Sequence, residues 1–274
     1  MATRDEMARS FGAQAGAYER GRPDYPREAV EWMLQPTGLG TSAAPRVADV
    51  GAGTGKLTRV VAGVLRDAGG GDVIAVEPDA DMLEALRAAV PGVETLIGTA
   101  EAMPLPDESL DAAVFGQSWH WVEPVAGSRE IGRVLKPGGV IGLIWNIRDE
   151  SVDWVARLSA IMHNSAAEQF LSSQFADGQF AGGQFDEGAQ PLLHAPFGPA
   201  ESRSWPWTRS MTRAALYDMV RSRSYVITAE PDERARIESE LAALFDEIGA
   251  VDEASIDLPY VTTAFRAVRT DASE

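Results

Sequence analysis

The chain has 274 residues, 45% of them hydrophobic and 8% aromatic, so it is long enough and apolar enough to bury a large core. It carries 41 acidic and 24 basic residues, and a net charge of -17 repels polyanions, so we expect no nucleic-acid partner and no anionic membrane surface. The absence of cysteine excludes disulfides and thiolate chemistry, and the three widely separated histidines leave no pair at metal-ligand spacing, so we expect no metal site.

The first 39 residues form the N-terminal segment of the predicted organisation. The opening "MATRDEMARS" lacks the apolar stretch of a secretory signal, and no run in the chain approaches the length of a membrane span. We therefore expect a cytoplasmic protein. The stretch "FGAQAGAYERGRPDYP" (11–26) places Tyr18 and Arg22 ahead of a helix predicted to begin near Arg27. Composition alone is equally compatible with an ordinary exposed segment.

Residues 40–146 alternate strand-like and helix-like patterns. Short apolar runs bounded by turn residues predict strands, and apolar residues at helical spacing predict the helices between them. The predicted strands cover 45–50, 72–77, 93–98, 110–116 and 140–146. Strands joined by helices imply an α/β fold, a doubly wound, Rossmann-like and mostly parallel sheet with helices on both faces.

The pattern changes after residue 146. Residues 147–255 are mainly helical in pattern, with one strand-like run near 203–209, and we interpret them as a helical insertion. Residues 256–274 contain an alternating strand that returns to the core sheet. Gln-Phe pairs recur every five residues between 169 and 185, a period of neither helix nor strand, which predicts a glycine-rich loop whose phenylalanines dock individually.

A glycine loop, "DVGAGTG" (49–55), follows the first predicted strand. A loop for nucleoside triphosphates needs four residues between its glycine and a Gly-Lys pair, whereas three separate Gly51 from Gly55. The dinucleotide fingerprint G-x-G-x-x-G also fails, because Lys56 occupies the place of its third glycine. Both phosphate-binding interpretations are therefore disfavoured.

Two carboxylates indicate a different ligand. Asp49 lies just before the loop, where an acid would repel a pyrophosphate but attract an ammonium group. Glu77 ends the second predicted strand, where a carboxylate can accept both hydroxyls of a ribose. A ribose and an ammonium without phosphate describe S-adenosylmethionine.

At these positions the sequence resembles the class I S-adenosylmethionine-dependent methyltransferases, specifically the small-molecule branch of ubiquinone-biosynthesis-type and trans-aconitate-type enzymes. Four motifs in the same order carry the resemblance: "DVGAGTG" (49–55), "VEPDADML" (76–83), "GTAEAMPLPDESLDAAVFGQSWHW" (98–121) and "REIGRVLKPGGVIGLIWN" (129–146). It implies S-adenosyl-L-methionine as cofactor and methyl transfer to a small molecule, at a carboxylate or a hydroxyl. The alternatives are a catalytically silent partner protein that binds the same donor and an NAD(P)-dependent oxidoreductase, which the loop spacing opposes.

The resemblance implies a role for each matching position. The implied cofactor-binding residues are Tyr18, Arg22, Asp49, Gly51, Gly53, Gly55, Glu77, Pro78, Met82, Thr99, Ala100, Glu101 and Gln117. Asp49 would hold the amino group, Glu77 the ribose hydroxyls, and Met82 or its neighbours would lie against the adenine. Thr99 stands where relatives usually carry an acid, which leaves open the group that receives the adenine amino hydrogens. The N-terminal segment and the insertion would form a lid over the site.

The acceptor side has two candidate linings. Trp119, His120 and Trp121 follow the fourth strand, at the sheet edge where such folds bind ligands. His120 is a base, an orienting hydrogen-bond donor or a packed core residue, and we favour the orienting role because no acid adjacent in sequence supports an imidazolium. The second lining comprises Arg221, Arg223 and Tyr225, which either fix an anionic substrate or complement a helix dipole. The sequence leaves the oligomeric state open.

Overall fold

The structure, a computed structural model, describes residues 22–40, 44–162, 180–181, 184–185, 189–221, 226 and 230–270. The strands in these ranges are β1 (Arg46–Val50), β2 (Asp72–Val76), β3 (Glu94–Leu96), β4 (Leu110–Gly116), β5 (Leu135–Arg148), β6 (Phe180–Ala181), β7 (Gln184–Phe185), β8 (Glu201–Thr212) and β9 (Ser255–Val268). The helices are α1 (Arg27–Leu34), α2 (Lys56–Asp67), α3 (Ala80–Ala89), α4 (Pro124–Val134), α5 (Asp153–Ile161), α6 (Arg213–Arg221) and α7 (Pro231–Glu247). Short 3-10 turns cover Gln35–Thr37 and Trp119–Trp121.

The large sheet of the described residues has the order β3-β2-β1-β4-β5-β9-β8. Its first five strands are parallel, and β9 and β8 are added antiparallel after β5. This arrangement confirms the doubly wound α/β prediction, and β9 and β8 extend the sheet beyond β5. Because the chain runs outward from β1 in one direction and resumes at β4 in the other, a crevice opens at the carboxyl ends of β1 and β4, where such sheets bind ligands.

Two local predictions need correction. The fifth strand begins at Leu135 rather than Val140, because "KPGG" continues in the strand as an irregularity where the β4–β5 register shifts. Part of the predicted pentad loop is a small hairpin, in which β6 pairs antiparallel with β7. The Phe185 ring of that hairpin packs 5.8 Å from Trp145 and 5.1 Å from Phe265, so this phenylalanine does dock on the core.

The helices cover both faces of the sheet with buried apolar side chains. One face packs on α1 and α2 through residues such as Met33 and Val61, and the other packs on α4 through Ile131. The helices α5, α6 and α7 form a separate apolar cluster over the far ends of β8 and β9. None of the helices in the described ranges combines the length and apolar character that a membrane span requires.

Candidate active site

The glycine loop between β1 and α2 makes two close contacts that a side chain would block. A Cβ built on Gly51 would lie 2.6 Å from the Cβ of Ser118, in the loop after β4. A Cβ on Gly55 would lie 2.8 Å from Cγ of Leu86 on α3. By contrast, no described heavy atom lies within 4 Å of a Cβ built on Gly53, so the middle of the loop borders open space. The loop is thus closely packed at both ends and open at its centre.

Asp49, which lies two residues before the first loop glycine in sequence, supplies a buried acceptor atom. Its side chain is fully buried at the end of β1, and its Oδ2 accepts a 2.6 Å hydrogen bond from Oγ1 of Thr58. Its Oδ1 has no hydrogen-bond partner among the described residues. Burial raises the pKa of Asp49 to about 7, with a further increase from the nearby Glu77 carboxylate, while hydrogen bonds from Thr58 lower it. An orphaned buried acceptor of this kind is rare and fits a cationic ligand group.

Glu77 is held by the backbone on both of its oxygens. Its Oε2 accepts a 2.9 Å bond from the Gly53 nitrogen, and its Oε1 accepts a 3.1 Å bond from the Asp79 nitrogen. Burial raises the pKa of Glu77, and these two backbone bonds lower it. Each carboxylate oxygen can accept a second hydrogen bond, so the group is pre-positioned and still able to bind ribose hydroxyls. Pro78 follows it, and Met82 is buried in the first turn of α3.

The third predicted donor region lies between β3 and β4. Thr99 pairs with Ala102 in an isolated bridge, and Ala100 is buried in the core. The Oε1 of Glu101 accepts a 2.9 Å bond from the Glu123 nitrogen, just before α4. The Glu101 carboxylate therefore has a structural partner at the start of that helix, a role the sequence analysis did not foresee.

The loop after β4 is tied to the strands on either side of β4. The Gln117 nitrogen donates to the Ile144 carbonyl at 2.9 Å, and Nε2 of Gln117 lies 3.4 Å from the carbonyl oxygen of Asn146. Oγ of Ser118 donates to the Val50 carbonyl at 2.7 Å. These bonds hold Gln117 at the carboxyl end of β4, beside the crevice between β1 and β4.

Trp119, His120 and Trp121, the next three residues, differ in burial and in contacts. Trp119 is fully buried, and its ring packs edge-on to Phe115 with centroids 5.0 Å apart, so it belongs to the core rather than to the predicted lining. His120 is 5% exposed, and its Nδ1 accepts a 3.4 Å hydrogen bond from Nε1 of Trp145. Trp121 is half-buried, with its ring 5.0 Å from that of His120. The histidine is thus held between two indoles.

The described end of the N-terminal segment, residues 22–26, crosses the carboxyl edge of the sheet. The carbonyl of Asp24 accepts a 3.1 Å bond from Nδ2 of Asn146, and its carboxylate lies 3.2 Å from Nζ of Lys56. Oη of Tyr25 lies 2.9 Å from a Cβ built on Gly116, the last residue of β4. Arg22 is half-buried in this segment. The predicted Tyr18 lies outside the described residues.

No described contact places the second predicted lining, Arg221, Arg223 and Tyr225, at the carboxyl edge of the sheet. Arg221 donates to both carboxylate oxygens of Glu238 on α7, at 2.9 and 2.8 Å, and this pairing lowers the pKa of Glu238. Its guanidinium also lies 5.0 Å from the ring centroid of Tyr217. The carboxylate that Arg221 binds is therefore the protein's own. Arg223 and Tyr225 lie outside the described residues.

Sequence reasoning missed two buried polar residues at the end of β5. Asn146 is 7% exposed, and its Oδ1 accepts a 2.6 Å bond from Oγ1 of Thr262. Arg148 is 6% exposed, and its Nε and Nη2 donate to Oγ of Ser159 on α5, at 3.2 and 3.1 Å. The sequence did contain a signal: these polar residues follow a buried apolar run, at the carboxyl end of a strand.

Comparisons with known proteins agree with this geometry. The model of the methyltransferase domain family matches residues 48–143. An uncharacterized methyltransferase of Mycobacterium tuberculosis is 41% identical over 267 residues, which cover 97% of this chain and 98% of that protein. The malonyl-[acyl-carrier protein] O-methyltransferase of Methylococcus capsulatus is 35% identical over 136 residues, 47% of each chain. The solved structure of a candidate type II methyltransferase from Anaeromyxobacter dehalogenans shares the fold, with a TM-score of 0.60 at 20% identity over 91% of this chain and 98% of that one.

Proposed function

This chain belongs to the class I S-adenosylmethionine-dependent methyltransferases, and we propose on that premise that it methylates an oxygen of a small acidic molecule, a carboxylate. The family membership makes it an enzyme with S-adenosyl-L-methionine as its cofactor. The observation that carries the proposal for the acceptor is the hydrogen bond from Trp145 to His120.

The described residues fit the donor. The orphaned Oδ1 of Asp49 suits its ammonium group, the fixed carboxylate of Glu77 suits its ribose, and the open space at Gly53 leaves room for both. When bound, the donor supplies an electrophilic methyl group on a sulfonium. The protein then has to orient the acceptor and exclude water.

The tautomer of His120 decides which acceptors it can serve. Because Nδ1 accepts the indole hydrogen of Trp145, a neutral imidazole carries its own hydrogen on Nε2. In that form Nε2 donates a hydrogen bond, and the one basic lone pair of the ring, on Nδ1, is engaged by the indole rather than directed at a substrate proton. Protonation at Nδ1 would place a second hydrogen between the two rings and break this bond.

A carboxylate acceptor matches such a histidine. Carboxylic acids are ionised at neutral pH and need no base, whereas a hydroxyl must lose its proton during transfer. His120 would therefore hold one carboxylate oxygen through its Nε2 hydrogen while the other is methylated. The relative from Methylococcus capsulatus, whose name gives oxygen as the methylated atom, supports an oxygen acceptor for the half of the chain that it matches.

Buried polar residues after β4 and at the end of β5 favour a small and anionic acceptor. His120, Asn146 and Arg148 are each at most 7% exposed, so a macromolecular substrate would have to be drawn deep into the fold to reach them. Arg148 lies two residues beyond Asn146 on β5, and its guanidinium is a natural partner for a carboxylate. Because Ser159 of α5 fixes that guanidinium, we propose that the helical insertion contributes to the acceptor side of the site.

The proposal is tested by a screen with methyl-labelled donor against small mono-, di- and tricarboxylates, phenols and amines. We expect label in a methyl ester of an acid, which mild alkali hydrolyses back to the acid and methanol. An enzyme that labels only phenols or amines contradicts the carboxylate proposal and leaves the donor assignment intact. Arg148→Gln should raise the KM for the acid more than it lowers kcat, because the guanidinium binds the ground state and the transition state alike.

A further inference from the structure

We propose that Lys56 and Asn146 are positioning residues that fasten the segment Arg22–Pro26 across the donor site by holding Asp24, so that this contact controls how fast the donor leaves. We call the contacts of Asp24 with Lys56 and Asn146 the latch. Lys56 is the residue that breaks the dinucleotide fingerprint, and in the latch its side chain has a function. The inference depends on donor binding alone, whatever the acceptor.

The ionic half of the latch joins Asp24 to the first turn of α2. Oδ1 of Asp24 lies 3.2 Å from Nζ of Lys56 and 3.1 Å from Nη2 of Arg59. The Lys56 side chain is only 13% exposed, although its partner is well exposed at 59%. Lys56 directly follows Gly55, so the carboxylate is anchored to the first residue after the glycine loop. A cation partly shielded from water holds its partner more strongly than a fully exposed one.

The amide half of the latch joins the backbone of Asp24 to the end of β5. Nε1 of Trp207 donates to Oγ1 of Thr262 at 2.8 Å, which leaves the hydroxyl hydrogen of Thr262 to be donated to Oδ1 of Asn146 at 2.6 Å. That order fixes the orientation of the Asn146 amide and directs its Nδ2 to the Asp24 carbonyl, at 3.1 Å. A buried chain of bonds, running from β8 through β9, thus presents one donor to the segment.

Between these two anchors the segment lies over the crevice. Tyr25, the next residue, places its Oη 2.9 Å from a Cβ built on Gly116, at the end of β4. The crevice lies between β1 and β4. Lys56 stands on α2, which follows β1, and Asn146 stands on β5, which lies beside β4. A donor bound by Asp49 and Glu77 sits at the same edge, so releasing Asp24 should open a path for it to leave.

The test measures binding and dissociation of S-adenosylhomocysteine by calorimetry and stopped flow, without any acceptor. Asp24→Asn and Lys56→Met should each speed dissociation about 3- to 10-fold at low salt, in line with a partly exposed ion-pair network. The double variant should be no faster than Asp24→Asn alone, because that change already removes the carboxylate that Lys56 holds. Asn146→Ala should speed dissociation in the same way through the other anchor.

Salt and a matched control separate the latch from general loosening. Raising salt from about 50 to 500 mM should speed release from the wild type toward that of Asp24→Asn and leave Asp24→Asn nearly unchanged. Arg27→Gln, which breaks the neighbouring exposed pair with Glu31 and Asp67, should release the ligand at the wild-type rate. Unchanged dissociation in both Asp24→Asn and Lys56→Met overturns the proposal. So does a double variant whose effect is the product of the two single effects, since Lys56 would then act without Asp24.

Discussion

Ionisation of Asp49 should control the pH dependence of donor affinity. The carboxyl is fully buried, and its pKa of about 7 means that the unliganded protein exchanges its proton near neutral pH. The ammonium of S-adenosylhomocysteine binds the ionised form, so binding below pH 7 must be accompanied by loss of that proton. Affinity should therefore rise with pH up to about 7 and level off above it.

The size of the effect follows from the pKa. With a value of about 7, roughly a tenth of the Asp49 carboxyls are ionised at pH 6 and roughly nine tenths at pH 8, so the affinity should rise about tenfold between them. The stability of the unliganded protein should change with pH in the opposite direction to the donor affinity. Because burial raises the folded pKa above the ordinary value of 3.8, the unliganded protein should lose on the order of 4 kcal/mol of stability as pH rises from about 4 to about 7.

The assay is calorimetric titration of S-adenosylhomocysteine into wild type and Asp49→Asn from pH 5.5 to 8.5, in buffers of different ionisation enthalpy. The asparagine variant keeps the titrations of Glu77 and of the ligand, so the ratio of the two dissociation constants isolates Asp49. We expect the wild type to release close to one proton on binding at pH 6 and the variant to bind weakly. Thr58→Val removes a hydrogen bond that lowers the Asp49 pKa, and should move the midpoint to higher pH. A wild-type affinity that changes with pH only as much as that of the variant would refute the reasoning.

Three further predictions concern the donor site and the charge of the chain. Glu77→Ala should weaken S-adenosylhomocysteine binding by roughly 1–3 kcal/mol in the same titration, because bonds to an ionised group are lost; unchanged affinity would remove Glu77 from the site. Gly51→Ala should lower the free energy of unfolding by about 2–4 kcal/mol in urea titrations, since a Cβ would lie 2.6 Å from that of Ser118 at a φ of +68°; wild-type stability would contradict the contact. With a net charge of -17, the protein should not retain RNA or DNA in gel shifts at about 50 mM salt, and a shift that competes with donor-dependent activity would argue against a small-molecule acceptor.

Local patterns were sufficient to predict the sheet, and they indicated two carboxylates as candidates for donor binding. Buried parallel strands are nearly continuous apolar runs, so their positions can be found from the sequence, and Asp49 and Glu77 stand where those runs end. Contacts between distant parts of the chain could not be predicted in this way. Asn146 and Asp24 are 122 residues apart, and nothing in the local sequence of either one indicates the other.

On the acceptor side, too, the local sequence did not indicate burial or contacts, even between residues closer together in the chain. Trp119 and Trp121 flank one histidine, yet one ring is fully buried in the core and the other is half-buried, because a short 3-10 turn directs them differently. The tautomer of His120 is set by Trp145, which lies 25 residues away on β5. The lysine in the glycine loop, which in the sequence only counted against a dinucleotide, contacts a residue of the N-terminal segment.

The most direct test of the carboxylate proposal is the pH profile of kcat for wild type beside His120→Gln and His120→Ala, with the acid that the labelling screen returns. If His120 only orients a carboxylate, the wild-type rate should be nearly flat from pH 6 to 9, and glutamine, which keeps a donor, should retain more activity than alanine. Equal losses of roughly 10²–10⁴-fold in both variants, with a wild-type rate that rises through a histidine titration, would make His120 a general base and contradict the proposal.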